Sequence, residues 1–291
     1  MQMNWKDAGL RKRLAVGILL VLGLVLLLSA LRYIRPDIQA AKPSLGLMTT
    51  LPLQWSEGGI EADLAAEAKP HPVYARLQTR YDIRPLDNFD TLNKSPVSLV
   101  LLAQPRALGP SELVKLDAWV RAGGRILILA DPALQWGSLY PLGDKRRPLF
   151  TSLLSPLFSH WGLELVLPMT DEQAVVLREV DGLSIRTQTP GEWLPKTGKV
   201  SATCAIASHR LLADCRIGKG RALLVADADL LDTVYWEGQG LRAVTGDDEF
   251  GNLLWIEAMI SALHEGTKPP GDFAGKNQAS RGILWDGPKN G

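Results

Sequence analysis

Residues 99–132 read LVLLAQPRALGPSELVKLDAWVRAGGRILILADP, and this stretch decides the fold. Its first apolar run predicts a strand that is buried on both faces, as strands of parallel sheets are. Pro110 suits the first turn of a predicted helix, and the pair Gly123-Gly124 suits its end. The run RILILA (residues 125–130) predicts a second buried strand. Strand, helix and strand in this order predict a right-handed parallel crossover.

Elements of the same two kinds lie on either side of this unit. Strands are predicted at Leu45–Leu53, Asp82–Leu86, Val97–Leu102, Glu164–Leu167 and Ala222–Ala226, with shorter β elements at Val175–Leu177 and Leu183–Thr187. Helices are predicted at His71–Tyr81, Leu149–Leu163 and Gly251–His264. The segment GKGRALLVAD (residues 218–227) echoes GGRILILAD (residues 123–131), which predicts two equivalent strands of one sheet. This alternation predicts an α/β fold with an open, mostly parallel sheet and helices on both faces.

The N-terminal region contains one long apolar segment without charge or proline, LAVGILLVLGLVLLLSAL (residues 14–31). Extended to Ile34, it reaches the length of about 20 residues that spans a bilayer. Basic residues precede it at close range, which favours a cytoplasmic N-terminus. A cleaved signal peptide is the alternative, but its apolar core is usually shorter and ends in a small-residue cleavage site.

These features together predict a single-pass inner-membrane protein whose main domain is periplasmic. The predicted parts are a cytoplasmic N-terminus (1–13), a transmembrane helix (14–34), a linker (35–44), an extracytoplasmic α/β domain (45–265) and a disordered tail (266–291).

The composition argues against several functional classes. The 32 basic and 31 acidic residues give a formal net charge of +1, which is not the basic excess of a nucleic-acid-binding protein. None of the four histidines (His71, His160, His209 and His264) stands at zinc-ligand spacing from another histidine or a cysteine. No Walker-type phosphate loop is present. The sequence therefore predicts no bound cofactor and no metal.

The two cysteines, Cys204 and Cys215, fall in two short predicted strands, Lys199–Ile206 and His209–Ile217, with a turn near Ser208. Paired strands bring two such thiols within bridging reach if the register permits. A disulfide persists outside the cytoplasm. Two unpaired buried thiols are the alternative, and the sequence does not decide between them.

Polar residues follow the predicted strands at the ends where open α/β sheets bind ligands. Gln104 follows the first strand of the central unit, Asp131 follows the second, and Asp227 and Asp229 follow the strand at residues 222–226. We take these four as candidate ligand-binding residues, and the carboxylates of the three aspartates suit Mg²⁺ or Ca²⁺. The competing interpretation, that each aspartate caps a turn or helix, is favoured.

A catalytic nucleophile is not evident in the sequence. An amidotransferase-like enzyme needs a cysteine on a sharp strand-to-helix turn, with a histidine and an acid to activate it. The predicted strands end instead in Gln104, Asp131 and Asp227, and no Gly-x-Ser-x-Gly elbow is present. The sequence therefore predicts a protein that is not an enzyme.

Residues 99–132 resemble the gliding-motility-type auxiliary components of ABC transporters and a related domain of unknown function found beside such transporters. Further segments agree: LGLMTTLPLQW (45–55), HPVYARLQTRYDIRPLD (71–87), GKGRALLVADADLLD (218–232) and GNLLWIEAMISAL (251–263). The resemblance implies a membrane-tethered domain with a class I glutamine amidotransferase-like (flavodoxin-like) fold and no established catalysis. It also implies work beside an ABC permease and its ATPase.

The expected function is thus that of a non-enzymatic auxiliary or scaffold subunit that acts through protein contacts. A periplasmic small-ligand or carbohydrate-binding domain is the alternative, with a crevice at Gln104, Asp131 and Asp227 beside Trp136 or Trp236. A hydrolase with an unfamiliar site is less favoured.

Overall fold

The computed structural model describes residues 16–27, 42–54, 57, 70–169, 175–198, 200–235, 251–271 and 273. The chain divides into two compact units, Met1–Lys42 and Pro43–Gly291. In the first unit, residues 16–27 form an α-helix with exposed side chains. The rest of the predicted anchor and most of the predicted C-terminal tail lie outside the described residues. Within the described ranges, no helix is both long enough and apolar enough to cross a membrane.

The second unit combines strands and helices in alternation. Its strands are β1 Ser44–Thr49, β2 Asp82–Pro85, β3 Leu99–Ala103, β4 Arg125–Leu129, β5 Leu163–Val166, β6 Val175–Val180, β7 Leu183–Gln188, β8 Glu192–Pro195, β9 Thr203–Ala207, β10 Leu212–Ile217 and β11 Gly220–Val225. Its helices are α1 Pro72–Arg80, α2 Pro110–Arg121, α3 Ser155–Trp161 and α4 Asn252–Glu265.

A seven-stranded sheet with the order β2-β1-β3-β4-β11-β10-β9 forms the centre of this unit. The five strands from β2 to β11 run parallel, and β10 and β9 continue the sheet antiparallel. Strands β3 and β4 are fully or almost fully buried along their length. The prediction of a mostly parallel sheet is confirmed. The two echoing strands are adjacent parallel neighbours, with Arg125 opposite Arg221.

The helices fall into two groups. Helix α1 is joined to α4 by the Arg76–Glu257 ion pair, with 2.8 Å between Nε and Oε1. Helix α2 is joined to α3, because the Trp161 indole N–H donates to Asp117 at 2.8 Å. The connections β1-α1-β2 and β3-α2-β4 step in opposite directions along the sheet. Right-handed crossovers therefore place the two groups on opposite faces.

Helix α2 begins and ends as its sequence predicts. Pro110 occupies its first turn, and the Glu112 carboxylate accepts the Gly109 N–H at 3.0 Å. After the helix, Gly123 takes a positive φ of 126°, which favours glycine. A Cβ on Gly220 would lie 1.9 Å from the Val120 carbonyl oxygen, so only glycine lets β11 pass this close to α2.

Two predicted elements differ in the structure. The helix predicted at Leu149–Leu163 covers only Ser155–Trp161. Residues 149–154 do not form a helix and include bends at Phe150 and Thr151. Their main chain bonds elsewhere, because the Ser152 N–H donates to the Asp131 carbonyl at 2.7 Å and the Phe150 carbonyl accepts the Leu134 N–H at 2.8 Å. The strand predicted at Leu45–Leu53 likewise ends at Thr49.

The segment between α3 and β9 forms two small antiparallel ribbons outside the central sheet. Strand β5 pairs with β8, and β6 pairs with β7 as a hairpin. The short β elements predicted there are confirmed as strands.

Strands β9 and β10 place Cys204 directly opposite Cys215, and the two are joined by a disulfide. The turn between these strands has positive φ angles at Ser208, His209 and Arg210, in agreement with the turn predicted at Ser208. The register thus decides in favour of the bridged alternative.

Candidate functional site

The four predicted ligand-binding residues all follow strands at the carboxyl edge of the central sheet. Gln104 follows β3, Asp131 lies just past β4, and Asp227 and Asp229 lie just past β11. Because β3, β4 and β11 are parallel neighbours, their ends meet at one edge. All four side chains are completely buried. The structure therefore brings them together, but beneath the surface.

Gln104 forms hydrogen bonds through both its side chain and its carbonyl oxygen. Its side-chain oxygen accepts the Asp131 N–H at 2.9 Å, and its amide nitrogen donates to the carbonyls of Asp131 at 3.2 Å and Leu149 at 2.8 Å. Its backbone has a positive φ of 42°, which few non-glycine residues adopt. Its carbonyl accepts the Thr50 hydroxyl at 2.6 Å. Gln104 thus ties the ends of β1, β3 and β4 together.

Asp131 holds two segments by its carboxylate. Oδ1 accepts the Ala133 N–H at 2.8 Å, and Oδ2 accepts the Ala228 N–H at 3.0 Å. The first bond closes the turn after β4, and the second joins that turn to the end of β11. Bonds of this kind are expected from the interpretation that each aspartate caps a turn or a helix.

Asp227 and Asp229 make similar bonds. Asp227 accepts the Gln188 N–H at 3.1 Å and the Leu230 N–H at 2.9 Å. Asp229 Oδ2 accepts the Gln135 N–H at 2.7 Å. Asp229 Oδ1 is buried and has no hydrogen-bond partner in the part of the chain that the structure describes.

Asp131, Asp227 and Asp229 form what we call the aspartate cluster. Each offers one carboxylate oxygen, and these oxygens lie within 4.8 Å of one another. Such oxygens are the ligands that Ca²⁺ and Mg²⁺ prefer, so the cluster has the donor chemistry for a hard cation. The bonds to main-chain N–H groups also give it a structural role. A ligand-binding role for these residues stays a prediction.

Burial controls the protonation of the aspartate cluster. It raises the pKa of Asp131 to about 6 and, with the Asp131 charge, that of Asp229 to about 8. Burial, together with the charges of Asp131 and Asp229, also raises the pKa of Asp227 well above its usual value. Arg178 interacts electrostatically with Asp227, and burial lowers the pKa of that guanidinium. Three carboxyl groups this close do not all ionise readily near pH 7.

Two tryptophans, Trp136 and Trp236, are expected beside this site, and the structure describes only the first. Trp136 is buried, and its ring packs against His71 with 5.7 Å between ring centroids. Burial of this imidazole lowers the pKa of His71 to about 4. Trp236 lies outside the described residues. Neither gives evidence for a sugar-binding aromatic at the aspartate cluster.

An open cavity of about 580 Å³ lies further along the same edge, beyond the ends of β1, β2 and β3. We call it the crevice. Among its lining residues are Met48, Thr50, Leu51, Pro52, Glu57, Leu86, Asp87, Arg106, Tyr140, Lys145 and Arg146. It lies where β1 and β3 are adjacent and the chain steps to opposite sides of the sheet, the place where doubly wound sheets bind ligands. The sequence did not single out these residues, because the strand order that identifies this place is not visible in it.

Comparison with known proteins gives one family. Residues 42–188 match the model of a family described as "ABC-type uncharacterized transport system". No curated protein matches the chain.

Several solved structures resemble the fold at low identity. The "mmIFT52 N-terminal domain" aligns with a TM-score of 0.42 and 14% identity, over 74% of this chain and 95% of that one. The exo-β-1,4-mannosidase Op5Man5 from Opitutaceae bacterium strain TAV5 aligns with a TM-score of 0.41 and 14% identity, over 75% of this chain and 36% of the mannosidase. A β-galactosidase from Rahnella sp. R3 aligns with a TM-score of 0.37 and 17% identity, over 67% of this chain and 31% of that one. These descriptions do not name a glutamine amidotransferase, and no functional argument rests on the three likenesses.

Proposed function

The chain belongs to the family described as an ABC-type uncharacterized transport system, and on this premise we propose that it is a membrane-anchored, non-enzymatic auxiliary component of such a system. The family match is the observation that carries the proposal. It begins at residue 42, beside the start of the compact unit at Pro43, and extends to the end of β7. The proposed partners are the ABC permease and, through it, the ATPase.

The class I glutamine amidotransferase-like fold is part of the same proposal. The parallel order β2-β1-β3-β4, with helices on both faces, supports a doubly wound architecture of this kind.

The proposed anchor is the segment Leu14–Ile34. Its described part, residues 16–27, is helical and exposes its large apolar side chains, which favours an apolar environment around it. The basic residues before it support a cytoplasmic N-terminus. The disulfide between Cys204 and Cys215 supports an oxidising compartment for the α/β unit. We therefore propose the inner membrane as the location, with the α/β unit in the periplasm.

Two observations support the proposal that the chain is not an enzyme. Both cysteines of the chain are bridged, so no thiolate is available for amidotransferase-type chemistry. Gln104 and the aspartate cluster are buried and bonded to the main chain. We assign the unit a binding role.

The loop between β4 and α3, residues 130–154, is the proposed contact surface for the permease. It exposes Leu139 (84%), Leu142 (80%) and Phe150 (57%). Several exposed large apolar side chains in one loop support an interface there. The loop base is fixed by Gln104, which accepts the Asp131 N–H and donates to the Leu149 carbonyl. A rigid base of this kind suits a docking loop.

Photocrosslinking in intact membranes tests the contact. A photoreactive phenylalanine analogue replaces Leu142, and in a matched control it replaces Val114, which is 68% exposed on α2. We expect the Leu142 position to crosslink to a permease subunit and the Val114 position to crosslink at least about tenfold less. Absence of permease adducts from both positions would contradict the proposal, as would equal yields.

A fusion test addresses the location separately. A reporter that is active only in the periplasm, joined after residue 44, is expected to be active, and one that is active only in the cytoplasm is expected to be silent. The reverse pattern would place the α/β unit inside the cell.

A further inference from the structure

We propose that the crevice binds a small polyhydroxylated carboxylate, that is, a singly charged anion with several hydroxyl groups. This inference does not rest on a transporter partner, and its test uses the purified full-length chain. The site is separate from the aspartate cluster, whose side chains are buried.

The place and size of the crevice suit a small molecule. Its lining comes from the ends of β1 and β2, from residues that follow β1, β2 and β3, and from Tyr140, Lys145 and Arg146 of the loop between β4 and α3. Its volume of about 580 Å³ falls within the range of about 300–1,000 Å³ that is usual for small-ligand sites. Thr50, one of its lining residues, is held in place, because its hydroxyl donates to the Gln104 carbonyl at 2.6 Å.

One wall carries positive charge. The Lys145 side chain is exposed and has no ion-pair partner among the described residues. The guanidinium of Arg146 is held by Asp144 at 2.7 Å and lies 4.1 Å from the centre of the Tyr140 ring. Arg106 also lines the crevice and is paired with Glu112 at 2.6 Å. Both arginines are therefore held by carboxylates, and the lysine is the charge left for an incoming anion. An ammonium group of this kind binds a carboxylate as a point charge.

Two carboxylates limit the charge of that anion. Glu57 and Asp87 line the same crevice, and Glu57 Oε1 is buried without a hydrogen-bond partner among the residues with a described structure. Glu57 Oε2 accepts the Leu139 N–H, which holds the side chain in place. A buried acceptor without a partner favours a ligand that donates hydroxyl groups. A polyphosphate would instead meet repulsion from both carboxylates.

Part of the remaining lining is apolar. Met48, Leu86 and Pro52 are among its apolar lining residues. Such surfaces pack against the C–H faces of a compact, hydroxylated ring or chain. The Lys145 ammonium, the Glu57 Oε1 acceptor and the apolar lining together favour a hydroxylated monocarboxylate of sugar size.

Isothermal titration calorimetry with D-gluconate tests the proposal on the full-length chain, with the neutral polyol sorbitol and inorganic phosphate as comparison ligands. We expect gluconate to bind with a Kd in the range of about 10 µM to 1 mM, and sorbitol and phosphate at least about tenfold more weakly. Lys145→Met is expected to weaken gluconate binding at least about tenfold. The matched control is Lys219→Met, an exposed lysine just before β11 at the opposite edge of the sheet, and it should leave binding unchanged.

A second variant, Glu57→Gln, examines the hydroxyl contact. It is expected to weaken gluconate about three- to tenfold while acetate binding stays the same. Two results would overturn the proposal: no gluconate binding by the wild-type chain up to about 10 mM, or equal affinities in Lys145→Met and Lys219→Met. Equal melting temperatures of the three variants and the wild type show that the changes are confined to the site.

Discussion

The aspartate cluster and the crevice occupy the same edge of the same sheet, but they use their charged groups in opposite ways. In the aspartate cluster the carboxylates are completely buried. In the described part of the chain, main-chain N–H groups donate hydrogen bonds to all but one of the carboxylate oxygens. In the crevice, Lys145 and Asp87 are exposed. The first arrangement joins loops to strands, and the second leaves charge available to a ligand.

This contrast distinguishes two roles of a polar residue at a strand end, which are to hold a loop and to bind a ligand. Position alone marks both regions as ligand sites in an open α/β sheet. The hydrogen bonds decide between them, because a carboxylate that already accepts two main-chain N–H groups contributes mainly to holding the loop. The crevice is the better candidate for ligand binding, because its Lys145 ammonium forms no ion pair within the described ranges.

The largest effect is expected from removing Gln104. In Gln104→Ala the buried N–H of Asp131 loses its side-chain acceptor and the Leu149 carbonyl loses its donor. Each buried polar group left without a partner costs about 1–3 kcal/mol, so we expect the free energy of unfolding to fall by about 3 kcal/mol. Chemical denaturation measures this difference.

Gln54→Ala is the matched control, because Gln54 lines the crevice at the same edge and is only partly buried. Its effect is expected to stay within about 0.5 kcal/mol. Similar losses in the two variants would remove the distinction between a structural edge and an open one.

A smaller effect with a definite pH dependence is expected for Asp229→Asn. The pKa of Asp229 is raised from 3.8 to about 8 by burial, so the folded state retains a proton that the unfolded state has lost. Stability due to this group is therefore complete below about pH 4 and is lost as the pH rises towards 8. At pH 8 the variant should be more stable than the wild type by at least about 2 kcal/mol, with no gain at pH 4.

Denaturation curves at the two pH values check this sign. Asp87→Asn, at an exposed position in the crevice, serves as the control and should change stability by less than about 0.5 kcal/mol at either pH. A variant of Asp229 that is less stable than the wild type at pH 8 would show that its carboxylate is ionised and stabilising, as in a site that holds a cation.

Much of the sheet was predictable because its signals are local. The runs at residues 99–103 and 125–129, with a proline-initiated helix between them, determine two buried strands and their crossover. The echo between Arg125 and Arg221 predicted equivalent strands, and the two residues are register partners. For Cys204 and Cys215 the sequence allowed pairing, but only the register decides it.

The remainder depends on contacts between distant residues. Residues 149–154 have the apolar content of a helix, but the Ser152 N–H donates to the Asp131 carbonyl and the segment is not helical. The positions of Gln104 and the three aspartates were visible as strand ends, whereas their burial was not. The crevice brings Glu57 together with Lys145, and no sequence pattern links them.

The smallest effect is expected from Lys145→Met, and this small effect is informative. The lysine is exposed and has no ion-pair partner among the described residues, so its loss should change the free energy of unfolding by less than about 0.5 kcal/mol. Chemical denaturation without ligand measures this change, and repeating it with about 10 mM gluconate should stabilise the wild type but not the variant. A large loss of stability without ligand would show that Lys145 takes part in holding the loop, and the crevice would then resemble the aspartate cluster. A small loss, with ligand stabilisation confined to the wild type, would mean that the aspartate cluster holds the loops at this sheet edge and that the crevice binds the ligand.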